Sequence, residues 1–233
     1  MTQEPPGLLL AIREFAQTVS KFRPANSRIR NRYLSRSGSK NLHLGCGRHT
    51  IEGWLNTDRF CRHGIVYLDL TKHFPFPDNS FDHVYSEHAI EHLPYRCGLN
   101  MLRESFRVLR PGGSMRVATP DFAFLENLHN PNKTPLEQQY LSWSMKEWVG
   151  SGSPEHPEMF VINNFVRAWG HQFIYDETTL AEALQRTGFV QIRKAALNNS
   201  TDPAFCGLEN ESRMPAGFLK LESLILEGSK SPA

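Results

Sequence analysis

Five short apolar segments follow one another between residues 41 and 119: NLHLG (41–45), WLNTD (54–58), IVYLD (65–69), DHVYS (82–86) and MRVAT (115–119). Most lack the alternation of polar and apolar residues that a half-exposed strand needs, so they read as strands covered on both faces. Between the fourth and fifth, Leu99, Leu102, Phe106 and Leu109 recur at spacings of three, four and three, which defines one face of a helix. The following Pro111-Gly112-Gly113 is expected to end that helix. Farther on, DETTLAEALQRTGF predicts a helix with Asp176 as N-cap and Gly188 as its stop, after an irregular 122–175 region. VQIRKAAL (190–197) and FLKLESLILEG (218–228) read as two closing strands. Strands that alternate with helical patterns imply βαβ units and a doubly wound sheet.

A chain of 233 residues can bury enough surface to fold without a metal or a crosslink. With 39% hydrophobic and 21% charged residues, it is neither disordered nor a disulfide-stapled miniprotein. Its four cysteines are irregularly spaced with no C-x-x-C, as in a reducing compartment. The N-terminus lacks the positive charge of a signal peptide, and no stretch reaches the roughly 18 apolar residues of a membrane span. A cytoplasmic location without a membrane span is therefore expected.

The formal charge of +2 conceals an asymmetry. Residues 21–40 hold seven basic side chains and no acid, which leaves 19 basic against 24 acidic residues elsewhere. This stretch follows a helical spacing at Leu8, Leu9, Ile12, Phe15 and Val19, so residues 1–40 read as an N-terminal helix and a basic arm. The arm is either a solvated linker in extended form or a docking surface for an anionic partner. The first is favoured, because the stretch contains only Phe22 and Tyr33 as aromatics. No nucleic-acid motif accompanies it, so a nucleic-acid partner is not expected.

His43-Leu44-Gly45-Cys46-Gly47 is a strand running into a glycine turn, where backbone can approach a ligand that a Cβ would repel. Thr50 replaces the third glycine of a dinucleotide fingerprint, and the Gly-Lys-Ser/Thr of a phosphate loop is missing. Asp58 closes the second strand and Asp69 the third, 13 and 24 residues beyond Gly45. Carboxylates at these two ends can accept from ribose hydroxyls and from an exocyclic adenine amine, so they suit a nucleoside with no phosphate chain. Each can equally serve as a turn cap.

Gly45-Cys46-Gly47, Gly53-Trp54-x-Asn56-x-Asp58, Asp69-Leu70 and Phe74-Pro75-Phe76-Pro77-Asp78-Asn79-Ser80-Phe81-Asp82 stand in an order that resembles the class I S-adenosylmethionine-dependent methyltransferases. Glu91-His92-Leu93, Arg107-Val108-Leu109 and Pro111-Gly112-Gly113 extend the likeness, which looks like a small-molecule branch with a shortened first crossover. It runs from about residue 41 to 121 and resumes at Phe173–Gly188. The resemblance implies an α/β, Rossmann-like, mostly parallel seven-stranded sheet with an antiparallel last strand. It implies S-adenosylmethionine as cofactor, with Gly45, Cys46 and Gly47 facing the methionine part, Asp58 on the ribose and Asp69 with Leu70 at the adenine. Ser86 would border the methyl group. Residues 41–233 would form the methyltransferase domain, and 122–175 an acceptor lid.

Two departures stand out. Only Arg48–Gly53 separates the glycine turn from the second strand, too few for a crossover helix. A side chain such as Arg48 can compensate for the missing helix dipole at the cofactor carboxylate. Arg59 replaces the usual aliphatic residue beneath adenine, and its flat guanidinium can stack on the base.

Methyl transfer chiefly requires alignment and exclusion of water, with a general base only where the acceptor loses a proton. Candidates near the mouth of the fourth strand are Glu87, His88, Glu91 and His92; Glu91-His92 recurs in the family and more often packs than reacts. His171 sits where relatives carry a His after the lid and is the first choice for a residue touching the acceptor, ahead of His92 and His88. The lid region holds three of the four tryptophans and ten of the 25 aromatics, which suits a wall for a flat, apolar or glycan-type acceptor. A satellite core beneath a long loop would show the same enrichment. Cys61-x-His63 with His73 lacks a second ligand pair, so no metal is assigned. The expected activity is methyl transfer to a small-molecule or glycan-type acceptor. The alternatives are a silent methyltransferase-like module docking through its basic arm and a nicotinamide-dependent oxidoreductase, against which the missing third glycine argues.

Overall fold

The computed structural model describes residues 24–60, 62, 64–150 and 155–232. The expected helix over residues 8–20, and Cys61 and His63, lie outside the described residues. A seven-stranded sheet in the order β3-β2-β1-β4-β5-β7-β6 forms the centre. Its strands are β1 (Asn41–Leu44), β2 (Leu55–Asp58), β3 (Val66–Tyr67), β4 (Phe81–Glu87), β5 (Leu109–Pro120), β6 (Val190–Lys194) and β7 (Ser223–Ser229). The first five are parallel, and β7 runs antiparallel between β5 and β6. This is the α/β Rossmann-like, mostly parallel sheet that the alternating pattern implies.

Helices α1 (Pro24–Leu34), α2 (Tyr95–Val108), α3 (Phe122–His129), α4 (Pro135–Ser144), α5 (Pro157–Arg167), α6 (Glu177–Arg186) and α7 (Phe218–Glu222) complete the fold. In α2, Met101, Leu102, Ser105 and Val108 are buried, one face at helical spacing against the sheet. Asp176 caps α6, its carboxylate accepting from Thr179 N at 2.7 Å, as expected.

Several expectations need correction. The basic stretch is no extended arm over Pro24–Leu34 but a helix, docked through Ile29, Tyr33 and Leu34. The Tyr33 hydroxyl accepts from Asn41 N at 2.9 Å and from Arg36 Nη2 at 2.7 Å, tying α1 to the start of β1. Pro111-Gly112-Gly113 does not terminate α2, which ends at Val108; it lies inside β5. Its backbone is taken up by Lys230, with Gly112 N donating to Lys230 O and Lys230 N to Gly113 O. A Cβ on Gly113 would stand 2.7 Å from Asp82 O, so only glycine lets β5 lie that close to β4. Residues 218–222 are the helix α7 rather than strand, because Phe218, Leu219 and Glu222 are buried at helical spacing.

The 122–175 region is not irregular but largely helical. Phe124, Leu128, Tyr140, Val161 and Phe165 form a second core with Phe218 of α7. Its two ends meet: Asp121 bridges Tyr175, and Phe122 N donates to Tyr175 O at 2.8 Å.

As the short spacing implies, no helix lies between β1 and β2. The sheet face over Tyr85 is instead packed by Ile51 and Trp54 with Phe205 and Leu208, from the loop between β6 and β7. Arg116 of β5 anchors that loop. Fully buried, it donates to both oxygens of Glu209 (2.7 and 2.9 Å), to Glu227 Oε1 (2.6 Å) and to the carbonyls of Ala196 and Asn199. Five donated hydrogen bonds match the five N–H groups of a guanidinium. Arg116→Met strands the buried Glu209 without its cation, and urea melts are expected to show a loss of about 3–5 kcal/mol. Arg116→Lys should recover little of it, since an ammonium cannot span the same acceptors.

His43, in β1, is buried and its Nδ1 lies 3.0 Å from Asn56 Oδ1. Asn56 Nδ2 donates to Ile51 O and Trp54 O, so Oδ1 is the acceptor and His43 Nδ1 carries the proton. Burial lowers the His43 pKa to about 4. Below about pH 6.5 the unfolded chain binds a proton that the folded chain refuses, so stability falls as pH drops from there toward 4. This group should cost about 2 kcal/mol between pH 7.5 and 5. Denaturant melts across that range are expected to show a shallower decline for His43→Gln than for the parent.

Candidate active site

The strand order reverses between β1 and β4, and the carboxyl ends of the parallel strands flank a crevice there, where open α/β sheets bind ligands. Gly45 follows β1, Asp58 closes β2, Asp69 and Leu70 follow β3, and Ser86 is paired beside Leu44 near the end of β4. The residues singled out from sequence therefore come to one edge.

Gly45 has φ +62°, and a Cβ there would lie 2.6 Å from Ala89 Cβ and 3.7 Å from Leu70. Leu70 and Ala89 thus close around the turn, whereas the Cβ direction of Gly47 faces open space. Cys46 between them is buried, its N–H donating to Thr57 O. Asp58 Oδ2 accepts from Gly47 N at 2.9 Å and Oδ1 from Phe60 N at 2.7 Å. The carboxylate caps the glycine turn, and each oxygen retains a second lone pair for a ligand hydroxyl. Asp69 Oδ1 accepts from Thr71 N and Oγ1. Burial alone would raise this carboxyl, but the Thr71 bonds outweigh it and hold it below its ordinary range. Arg48 and Arg59 are exposed on the loops beside the turn. Ser86 Oγ is fully buried and makes no hydrogen bond, an exception among buried polar atoms.

Beyond β4 the chain tightens. His88 has φ +46°, a conformation that costs a non-glycine residue about 1–3 kcal/mol. Its N–H donates to Ala118 O, and its Nε2 lies 3.2 Å from Ser223 Oγ. The 3₁₀ turn Ile90–His92 follows. Glu91, fully buried, accepts from Thr119 Oγ1 through Oε2 at 3.1 Å. Its Oε1 makes no hydrogen bond and lies 3.4 Å from His88 Nδ1 and 3.9 Å from His92 Nε2. Burial would raise this carboxyl, but the two imidazoles beside it bring it below its ordinary value.

The Glu91 carbonyl accepts from Gln172 N and Phe173 N, which fixes the end of the lid over the same turn. Trp169 and Gly170, with φ +56° and +84°, reverse the chain and deliver His171, whose ring centroid stands 5.0 Å from that of His92. His171 Nδ1 is 2.7 Å from Phe165 O. A carbonyl only accepts, so Nδ1 carries the proton and Nε2 the lone pair. Burial lowers the His171 pKa, which favours the neutral ring.

His88, Glu91, His92 and His171 line one end of a cavity of about 260 Å³. Trp143, Trp148, Phe165 and Trp169 form its aromatic wall, and the second core lies directly behind. The aromatic enrichment of this region builds a satellite core, one face of which opens on the pocket. Sequence reasoning missed Glu222, Tyr140, Arg213 and Met214, which also line it. Tyr140 donates to Glu222 Oε2 at 2.5 Å, and burial raises the Glu222 carboxyl. Only the helical spacing hidden in FLKLE could have signalled Glu222.

Residues 55–117 match the methyltransferase domain family. The demethylmenaquinone methyltransferase of Listeria monocytogenes serotype 4a (strain HCC23) is 25% identical over 147 residues, covering 60% of this chain and 54% of that protein. Sterol 24-C-methyltransferase erg6 of Schizosaccharomyces pombe is 28% identical over 214 residues, covering 81% and 49%. The chain spans about half the length of these curated relatives. Among solved structures, a possible exported protein from Bordetella parapertussis shares the fold, with a TM-score of 0.50 at 11% identity over 90% of this chain and 67% of that one. Among the described residues, no helix is long and apolar enough to cross a membrane. Strand order, strand-end aspartates and the match over residues 55–117 agree, and in these respects the chain is similar to the class I S-adenosylmethionine-dependent methyltransferases.

Proposed function

We propose that this chain transfers a methyl group from S-adenosylmethionine to a small-molecule or glycan-type acceptor held under the 122–175 lid. One observation carries the reading: the glycine turn and both strand-end aspartates lie at the carboxyl ends of the strands, and beyond β4 the chain lines an aromatic-walled cavity with His88, Glu91, His92 and His171. The residues present fit the cofactor. Gly45 and Gly47 leave the backbone bare, Asp58 keeps free lone pairs for ribose hydroxyls, and Asp69 with Leu70 suits adenine. Arg59, exposed just beyond Asp58, would stack on the base, and Ser86 offers a buried hydroxyl without a partner.

When bound, the sulfonium supplies an electrophilic methyl group, and the protein's task is alignment in a dry site. Trp143, Trp148 and Trp169 supply flat apolar surface for a ring or a sugar face. His171, His92 and His88 are the side chains placed to touch the acceptor's nucleophilic atom at the polar end. The curated relatives are named for a quinone-type and a sterol acceptor, both largely apolar small molecules, which agrees with such a wall.

Calorimetry with S-adenosylmethionine or its demethylated product should give a dissociation constant on the order of micromolar. Asp58→Ala should weaken it about tenfold or more, the worth of a charge-assisted hydrogen bond. No heat with either compound would remove the reading. With methyl-labelled cofactor and a metabolite extract, His171→Ala should lower label transfer by about a hundredfold or more while leaving cofactor affinity unchanged. Undiminished transfer would strike His171 from the site.

A further inference from the structure

The polar end of the cavity holds more than a set of hydrogen-bonding groups. Ligand-type atoms of Glu91, His92 and His171 all lie within 4.8 Å of one another. We propose that these three side chains bind one divalent transition-metal ion with the chemistry of zinc, its open position facing the cavity.

Three observations support the assignment. Glu91 is fully buried, and its Oε1, on the cavity lining, makes no hydrogen bond, with His88 Nδ1 standing 3.4 Å away. A carboxylate oxygen left so in a protein interior is costly, and a cation removes the cost. Its other oxygen is fixed by Thr119 Oγ1, so Oε1 cannot swing away without breaking that bond.

Next, His171 is held as metal-bound histidines are held. Its Nδ1–H donates to a backbone carbonyl, Phe165 O at 2.7 Å, which fixes the tautomer and leaves the Nε2 lone pair for an ion. The left-handed pair Trp169-Gly170 turns the chain so that His171 is delivered beside His92.

Finally, one ligand–ligand distance is near that required. Glu91 Oε1 and His92 Nε2 are 3.9 Å apart, whereas two ligands on one zinc ion stand roughly 3.3 Å apart. The His92 side chain is 38% exposed, so a small ring rotation closes the gap. Two imidazoles and one carboxylate suit zinc and its neighbours, whereas magnesium and calcium prefer oxygen sets. The same three-ligand set is typical of catalytic zinc, with a fourth position left for water or substrate. Adjacent residues joined by a third one eighty positions downstream match no metal spacing, so the sequence does not display the site.

Binding of the ion is independent of the methyl-transfer reading, but its use rests on that reading. An acceptor hydroxyl coordinated at the open position gives its proton to solvent more readily. Its oxygen then bonds to the methyl carbon as the carbon–sulfur bond breaks, and that electron pair stays on sulfur.

The test uses the full chain, stripped with a chelator, with neither cofactor nor acceptor present. Titration with Zn²⁺ is expected to show one ion per chain. Co²⁺ should give the visible ligand-field band of a four- or five-coordinate site without sulfur-to-metal charge transfer. His171→Ala should weaken Zn²⁺ about a hundredfold and abolish the band; should that variant not fold, His92→Gln carries the same expectation on a more exposed ring. Zn²⁺ should raise the melting temperature of the parent but not of either variant. A missing band, or Zn²⁺ affinity unchanged in both variants, overturns the assignment, as does a cobalt spectrum dominated by thiolate. S-adenosylhomocysteine heat in the same preparation separates the two readings. Cofactor binding without metal binding overturns only this inference, and metal binding without cofactor binding overturns only the methyl-transfer reading.

Discussion

The Arg116 guanidinium is the constraint around which this version of the fold is organised. Omission of the first crossover helix exposes the sheet face over Tyr85, and a loop must cover it. A long loop of polar sequence has little apolar area with which to hold itself down. Arg116 supplies the hold, because five donors in a rigid plane can be satisfied only if Glu209, Glu227 and the Ala196 and Asn199 carbonyls are all in place. Phe205 and Leu208 are then pressed against Trp54 and Tyr85. The same loop continues into Arg213, Met214 and Glu222 at the cavity. One buried cation thereby links a missing helix near the N-terminal side of the sheet to the lining of a pocket on the other.

The two halves of the site differ in physical character. At the glycine-turn edge the backbone does the work: a turn with left-handed glycines, capped by a carboxylate, on strands buried on both sides. At the cavity end the side chains do it, and two of the five non-glycine residues with left-handed backbone among the described residues, His88 and Trp169, lie there. Strain of this kind persists only where surrounding contacts over-determine the backbone. The His88 N–H to Ala118 O and the two N–H groups on the Glu91 carbonyl provide such contacts.

What the sequence revealed follows the same division. The parallel strands were legible because burial on both faces leaves an unbroken apolar run. The cofactor edge was legible because strand ends, glycines and aspartates lie close together in the chain. The Asp176 cap was readable for the same local reason. Helix α7 was not, since a five-residue apolar run has no decisive period and its partners Tyr140 and Trp143 lie some eighty residues earlier. Pro111-Gly112-Gly113 misled because glycine serves equally to end a helix and to let two strands approach. Arg116 in an apolar strand reads as an exception until Glu209 and Glu227 are in view. The grouping of Glu91 with His171 depends on how the lid returns, which no local pattern encodes.

The bridge between Asp121 and Tyr175 has a consequence of another kind. Because residues 122–175 leave and rejoin the sheet at one point, they form a looped-out unit, its core shared with Phe218 and Leu221 of α7, attached to the sheet as a handle is to a door. Changes within that unit alter the shape and polarity of the cavity while leaving the glycine turn and strand-end aspartates undisturbed. Evolution, or an engineer, can therefore vary the cavity wall within this loop, and the sheet beneath need not be relearned each time.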